Sequence, residues 1–130
     1  MFYILDEGLI GLPDLRFPER WALIARDAFN GKFLWRRPVP NWGYRRWNTR
    51  GMWSAPLTLN RRVVTDGEHV FVTLGYQAPV TVLDAANGER IRTIPGSLGT
   101  DEMILTEGVL LLCIREKLSV AAPPQRKAKN

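Results

Sequence analysis

The motif Asp-Ala-x-Asn-Gly occurs twice in the chain, within "RDAFNGKFLWRRPV" (residues 26–39) and "LDAANGERIRTIPG" (residues 83–96). Asp27, Ala28, Asn30 and Gly31 return as Asp84, Ala85, Asn87 and Gly88, all at one constant offset. Each copy separates two short apolar runs. Asn-Gly between such runs predicts a hairpin with a type I′ turn, which needs positive φ at both central residues. A hairpin that returns at a fixed spacing predicts a repeat architecture, in which one supersecondary unit cannot bury its apolar face alone and is covered by its neighbours.

The remaining sequence reads as further short strands divided by turn signals, with almost no helical periodicity. "FYIL" stops at Asp6-Glu7-Gly8, "WALIARD" (21–27) leads into the first motif, and "KFLWRRPV" (32–39) returns. After a long loop, "RRVVT" (61–65) meets Asp66-Gly67, and "HVFVTL" (69–74) follows with Val70, Val72 and Leu74 on one face and His69, Phe71 and Thr73 on the other. "VTVLD" (80–84) enters the second motif and "ERIRTI" (89–94) leaves it; "EMILT" (102–106), Glu107-Gly108 and "VLLLCI" (109–114) end the series. The predicted organisation is therefore the last three strands of a blade over 1–39, a long inter-blade loop over 40–60, a complete four-stranded blade over 61–94, the first two strands of a next blade over 101–115, and a disordered tail over 116–130 with little to bury. A period of this size with four strands per unit predicts an all-β fold of antiparallel four-stranded blades, part of a β-propeller. The spacing from Asp27 to Asp84 exceeds the about 40–45 residues of an ordinary blade, and the excess falls in the 40–58 loop. "VLLLCI" and "WALIA" are apolar on both faces, which predicts strands covered on both sides. About two and a quarter blades cannot close a ring, so the chain is expected to be a piece of a larger propeller.

Charge is uneven. Of the net +5, the stretch from Ala28 to Thr65 holds eight basic residues and no acidic one, leaving net −3 elsewhere. Such a block attracts anions, nucleic acid among them, but nucleic acid is not the expected partner. No apolar run approaches the about 18–20 residues of a membrane helix, and "MFYILDEGLIG" lacks the basic n-region of a signal peptide. The single cysteine, Cys113, excludes an intrachain disulfide, and its apolar run predicts a buried small hydrophobe. The single histidine, His69, has no metal-ligating or catalytic partner at a telling spacing and reads as structural or solvated. No catalytic residue and no metal ligand is predicted.

One segment has the composition of a binding surface. "NWGYRRWNTRGMW" (41–53) interleaves Trp42, Tyr44, Trp47 and Trp53 with Arg45, Arg46 and Arg50. Aromatic faces with guanidinium groups suit sugar rings, single strands or a planar anion, and they are enriched where proteins meet. The same residues also suit anchors that hold a long loop down on a sheet. Both readings stand on the sequence.

The two motif copies resemble the repeat of the pyrroloquinoline quinone (PQQ)-like β-propeller family, hydrophobic–x–Ala/Leu-Asp-Ala-x-Thr/Asn-Gly-x-x-hydrophobic-Trp. Asp27, Ala28, Gly31 and Trp35 match the first copy, and Asp84, Ala85 and Gly88 the second, which has Arg92 in place of the tryptophan. The resemblance covers about residues 1–115. It implies that the Asp-to-Gly turn and the tryptophan are blade-packing devices, with Trp35 between neighbouring blades. It implies a binding or interaction scaffold in a larger bacterial protein of the cell envelope or periplasm, with the remaining blades, another protein or carbohydrate as partner. The alternative it implies is part of a quinoprotein dehydrogenase or of another multidomain enzyme. Quinone-binding members use calcium, a vicinal disulfide and an acidic base. One cysteine cannot supply the disulfide, and the nearest paired acids, Asp101 and Glu102, read as a turn. No cofactor is predicted for these residues; PQQ would need a site on other blades.

Overall fold

The computed structural model describes residues 1–8, 19–40, 42 and 59–115. The described residues form nine antiparallel strands in three sheets, with one short 3₁₀ turn (Leu59–Arg62). The first sheet has the order β1 (Phe2–Asp6), β2 (Trp21–Arg26), β3 (Phe33–Pro38). The second runs β4 (Val63–Thr65), β5 (His69–Thr73), β6 (Val80–Asp84), β7 (Arg90–Thr93), and the third pairs β8 (Thr100–Thr106) with β9 (Val109–Ile114). Every neighbour in a sheet is also a neighbour in sequence, so each sheet is a meander built from local hairpins. No helix among the described residues is long and apolar enough to cross a membrane.

The sequence spacing is reproduced in the backbone. Ile24 faces Arg36, Ala25 faces Trp35, and Arg26 faces Phe33 across a bulge. At the offset of the two motifs, Thr81 faces Thr93, Val82 faces Arg92, and Leu83 faces Arg90 across the same bulge. A second, shorter spacing links the second and third sheets: Val63 faces Val72 as Met103 faces Leu112, and Val64 faces Phe71 as Ile104 faces Leu111. The connections absorb the difference. The stretch from Trp35 to Val63 is more than twice as long as that from Arg92 to Met103.

Both motif copies close the same turn, and it is not the expected type I′. Asp27 N–H donates to Lys32 O at 2.9 Å and Gly31 N–H to Asp27 O at 3.0 Å; Asp84 N–H donates to Glu89 O and Gly88 N–H to Asp84 O, both at 2.9 Å. The loop thus runs from Ala28 to Gly31, and from Ala85 to Gly88, and only the glycine is left-handed, with φ +71° at Gly31 and +74° at Gly88. The aspartate causes the difference. Asp27 Oδ1 accepts from Phe29 N–H (2.8 Å) and Asn30 N–H (3.1 Å), and Asp84 Oδ1 from Ala86 N–H (2.7 Å) and Asn87 N–H (3.3 Å). These bonds wind the first loop residues into a right-handed turn, so positive φ is needed only where the chain exits. Asn30 and Asn87 then accept from the N–H groups of Lys32 and Glu89, each at 2.8 Å. The two-residue turn with positive φ at both positions is instead Glu107-Gly108, at +48° and +76°.

The core lies between the first two sheets. Leu23, Ala25 and Trp35 from one meet Val70, Val72, Leu83 and Ala85 from the other, with Val39 and Trp42 in the same cluster. β2 and β6 are buried along nearly their whole length, as apolar runs covered on both faces are. The third sheet joins through polar contacts as well as packing. Arg62, buried, donates to Thr100 O at 2.9 Å and pairs with Asp101. Ser97 Oγ donates to Ile94 O (2.6 Å) and accepts from Val80 N–H (2.8 Å), while Thr100 Oγ1 donates to Ser97 O (2.6 Å).

"VLLLCI" departs from its expected burial. β8 and β9 put Met103 inside at 3% exposure, but Ile104 and Leu111, paired on the opposite face, are 53% and 52% exposed. Cys113 is exposed rather than buried. The run is apolar on both faces, yet no further sheet stands on the outer one among the described residues.

Candidate functional site

Of the aromatic and arginine residues singled out in the 41–53 segment, Trp42 is described; Tyr44, Arg45, Arg46, Trp47, Arg50 and Trp53 lie outside the described residues. Trp42 is an anchor. It is buried, its indole Nε1–H donates to Thr73 O at 3.1 Å, and its ring lies 6.4 Å from that of Trp21. Its side chain is spent on the core and presents no face to a ligand.

The junction of the first two sheets carries a surface groove beside a close backbone contact. Trp35 reaches from β3 to the second motif. Its Nε1–H donates to Ala85 O at 2.9 Å, and the ring lies flat on Gly88. A Cβ at Gly88 would stand 2.7 Å from Trp35 Cε3, so only glycine admits this approach. Arg37, further along β3, donates to Gly88 O at 2.9 Å. Above this contact an open groove of about 520 Å³ runs between Arg36, Arg37, Pro38 and Pro40 on one side and Asn87 and Glu89 on the other. It begins where the chain enters the 41–53 segment.

The charges of this groove are largely committed. Arg36 Nε donates to both oxygens of Glu7, at 3.0 and 2.8 Å, and a further guanidinium N–H reaches Glu7 Oε2. These bonds hold the Glu7 carboxyl below its ordinary range and raise Arg36 further. Glu7 is thus a fixed anion rather than an acid or base poised near neutrality. The groove is lined by proline and indole edges, the Asn87 amide, the Glu89 carboxylate and the guanidinium groups of Arg36 and Arg37.

Elsewhere, His69 Nδ1 lies 3.0 Å from Asp66 Oδ2, and Asp66 Oδ1 accepts from His69 N–H at 2.6 Å. The His69 backbone N–H, then the ring, lower the Asp66 pKa. The pair clamps the 66–69 turn, in keeping with a structural histidine. Among the described residues no three His, Cys, Asp or Glu side chains converge as a metal site would require.

The sequence pointed to Trp35 but not to the groove beside it, because Arg37 and Glu89 lie in different repeat units, far apart along the chain. The paired motifs held the one available signal: a tryptophan that follows the first motif glycine on β3 needs a second glycine to lie on. No family model matches the chain, and no curated protein or solved structure matches it.

Proposed function

We propose that this chain is a segment of a PQQ-like β-propeller that serves as a binding or interaction scaffold within a larger bacterial envelope protein, with no catalysis of its own. One observation carries the reading. Two antiparallel sheets repeat the same register, bulge and turn at one sequence offset, and the tryptophan of one lies on the turn glycine of the other. Sheets of repeated register and turn that stack face to face are the units from which a blade array is built. The groove at the junction, with the aromatic-arginine segment following it in the chain, is where such an array would receive a ligand.

The reading is tested on the protein encoded with its flanking coding sequence. Electron-microscopy averages should show a closed ring of radial sheets, and a stable monomer of this chain lacking any adjoining repeat would remove the propeller. A glycan array and a PQQ titration on that protein address the ligand. Binding of a glycan that Trp47→Ala abolishes supports the scaffold; saturable PQQ binding with alcohol oxidation replaces it with an enzyme.

A further inference from the structure

We propose that the tip of the first hairpin docks on an anionic membrane surface, with Phe29 entering the headgroup layer and Arg26 and Lys32 meeting the lipid phosphates. Phe29 is fully exposed at the apex of the 27–31 turn, and Phe33 and Leu34, just past it on β3, are each about half exposed. The turn does not need the aromatic ring. The second motif closes the same turn, with the same aspartate and asparagine bonds, and has Ala86 at that place. Lys32 likewise stands where the second motif has Glu89, and Phe33 where it has Arg90. Nor does the stacking of sheets use the ring. On the second turn, which Trp35 covers, Ala85 and Gly88 are buried while Ala86, Glu89 and Arg90 stay exposed. A sheet laid in the same way on the first turn would leave Phe29, Lys32 and Phe33 in solvent.

Charge and area select the occupant. Asp27 is the one acidic residue of the hairpin over 21–39, and its Oδ1 is taken by the Phe29 and Asn30 N–H groups. Arg26 donates to Tyr3 Oη and to Gly31 O, both neutral and both at 2.9 Å, and its Cζ lies 5.9 Å from the centroid of the Phe33 ring. Lys32 is exposed and its ammonium meets no carboxylate among the described residues. Positive charge thus stands uncancelled beside the protruding ring. Three apolar side chains on a convex tip bury far less than the about 1,200 Å² of a stable protein interface. A bilayer needs no matching pocket. An aromatic ring settles at headgroup level, and cations beside it are drawn to anionic lipids. The aspartate and asparagine bonds already fix the turn, so docking costs little backbone freedom. The proposal goes beyond the scaffold reading and concerns one hairpin, so it can fail while the ring stands, and the ring can fail while the hairpin binds.

The test is flotation of the full chain with two kinds of vesicle, phosphatidylcholine alone and phosphatidylcholine mixed with phosphatidylglycerol. Binding to the mixed vesicles is expected, weakening as salt is added, with little binding to phosphatidylcholine alone. Phe29→Ala and Lys32→Glu each give the first turn the residue of the second. Each should weaken binding about fivefold or more while leaving the urea midpoint at that of wild type, since both side chains are exposed. Ile104→Ser with Leu111→Ser, on the exposed face of the third sheet, should change binding by less than about twofold, because that face takes no part. Equal binding to both vesicles, binding unchanged by either hairpin substitution, or binding lost only in the third-sheet variant overturns the proposal. Failure of the wild-type chain to float with either vesicle also overturns it, and would leave the Phe29 ring to the surface of another protein.

Discussion

Gly31 and Gly88 share a backbone conformation and differ in what faces them, so a matched pair of substitutions separates two effects. Alanine at either position bears the left-handed strain, about 1–2 kcal/mol. At Gly88 its Cβ also meets the Trp35 ring, and relieving that overlap costs about 1–3 kcal/mol more. Urea denaturation should therefore place Gly88→Ala well below Gly31→Ala; equal midpoints would mean that Trp35 can move off the turn without loss. The aspartates set the acid response. Hydrogen bonds from Phe29 and Asn30 N–H groups lower the Asp27 pKa, those of His69 lower that of Asp66, and Arg36 lowers Glu7. A carboxyl whose folded pKa is depressed stabilises the fold above its unfolded value, about 4, and loses that contribution as pH falls through the folded value. The urea midpoint should be level from pH 7 to about 5 and decline below about 4. Asp27→Asn should lower the neutral plateau and make that decline shallower.

At the scale of strands and turns, the hairpin punctuation was legible and the turn chemistry was not. Asp6-Glu7-Gly8, Asp66-Gly67 and Glu107-Gly108 mark strand ends closely, because a short polar run with glycine cannot continue a pleated, half-buried ladder. Asn30-Gly31 suggested a type I′ turn, but the outcome depended on Asp27, whose carboxylate captures two amides before the glycine is reached. Glu107 takes the left-handed conformation that Asn30 does not, with φ +48° on an ordinary side chain. Glu107→Asn should raise stability by about 0.5–1 kcal/mol, read as an increased urea midpoint. The candidate site was legible in part. Trp42 read as either a binding residue or a loop anchor because composition cannot tell an anchoring indole from a presented one; its burial and its bond to Thr73 O, on the neighbouring sheet, make it an anchor. Buried pairing was equally hidden. Asp101 read as half of a turn, yet it neutralises Arg62, whose pKa burial pushes down. Asp101→Asn should destabilise by about 1–3 kcal/mol, since a buried guanidinium loses its counter-charge but keeps Thr100 O. A double-mutant cycle with Arg62→Met would show coupling of the same order.

At the largest scale, the outer face of the third sheet is apolar and no other sheet covers it among the described residues, with Ile104, Val109 and Leu111 each more than half exposed. An uncovered sheet face of this kind associates with whatever apolar surface it meets. Sedimentation of the isolated chain should show mass rising with concentration. Ile104→Lys with Leu111→Lys should suppress that rise while the urea midpoint shifts by about 0.5 kcal/mol or less, as for exposed positions. The stack has a different bearing on ancestry. Tyr3 faces Ile24 as Val72 faces Thr81, Ala25 faces Trp35 as Val82 faces Arg92, and Val63 faces Val72 as Met103 faces Leu112. Matching positions keep matching partners, although the offset from β1 to β5 is longer than that from β2 to β6, which is longer again than that from β4 to β8. Whole stretches of connection can thus enter or leave the chain without changing a single cross-strand neighbour, because loop closure grows costly only slowly with length. Descent can conserve the turn and the strands while rewriting the connections, so related chains should align over the former and diverge in length over the latter.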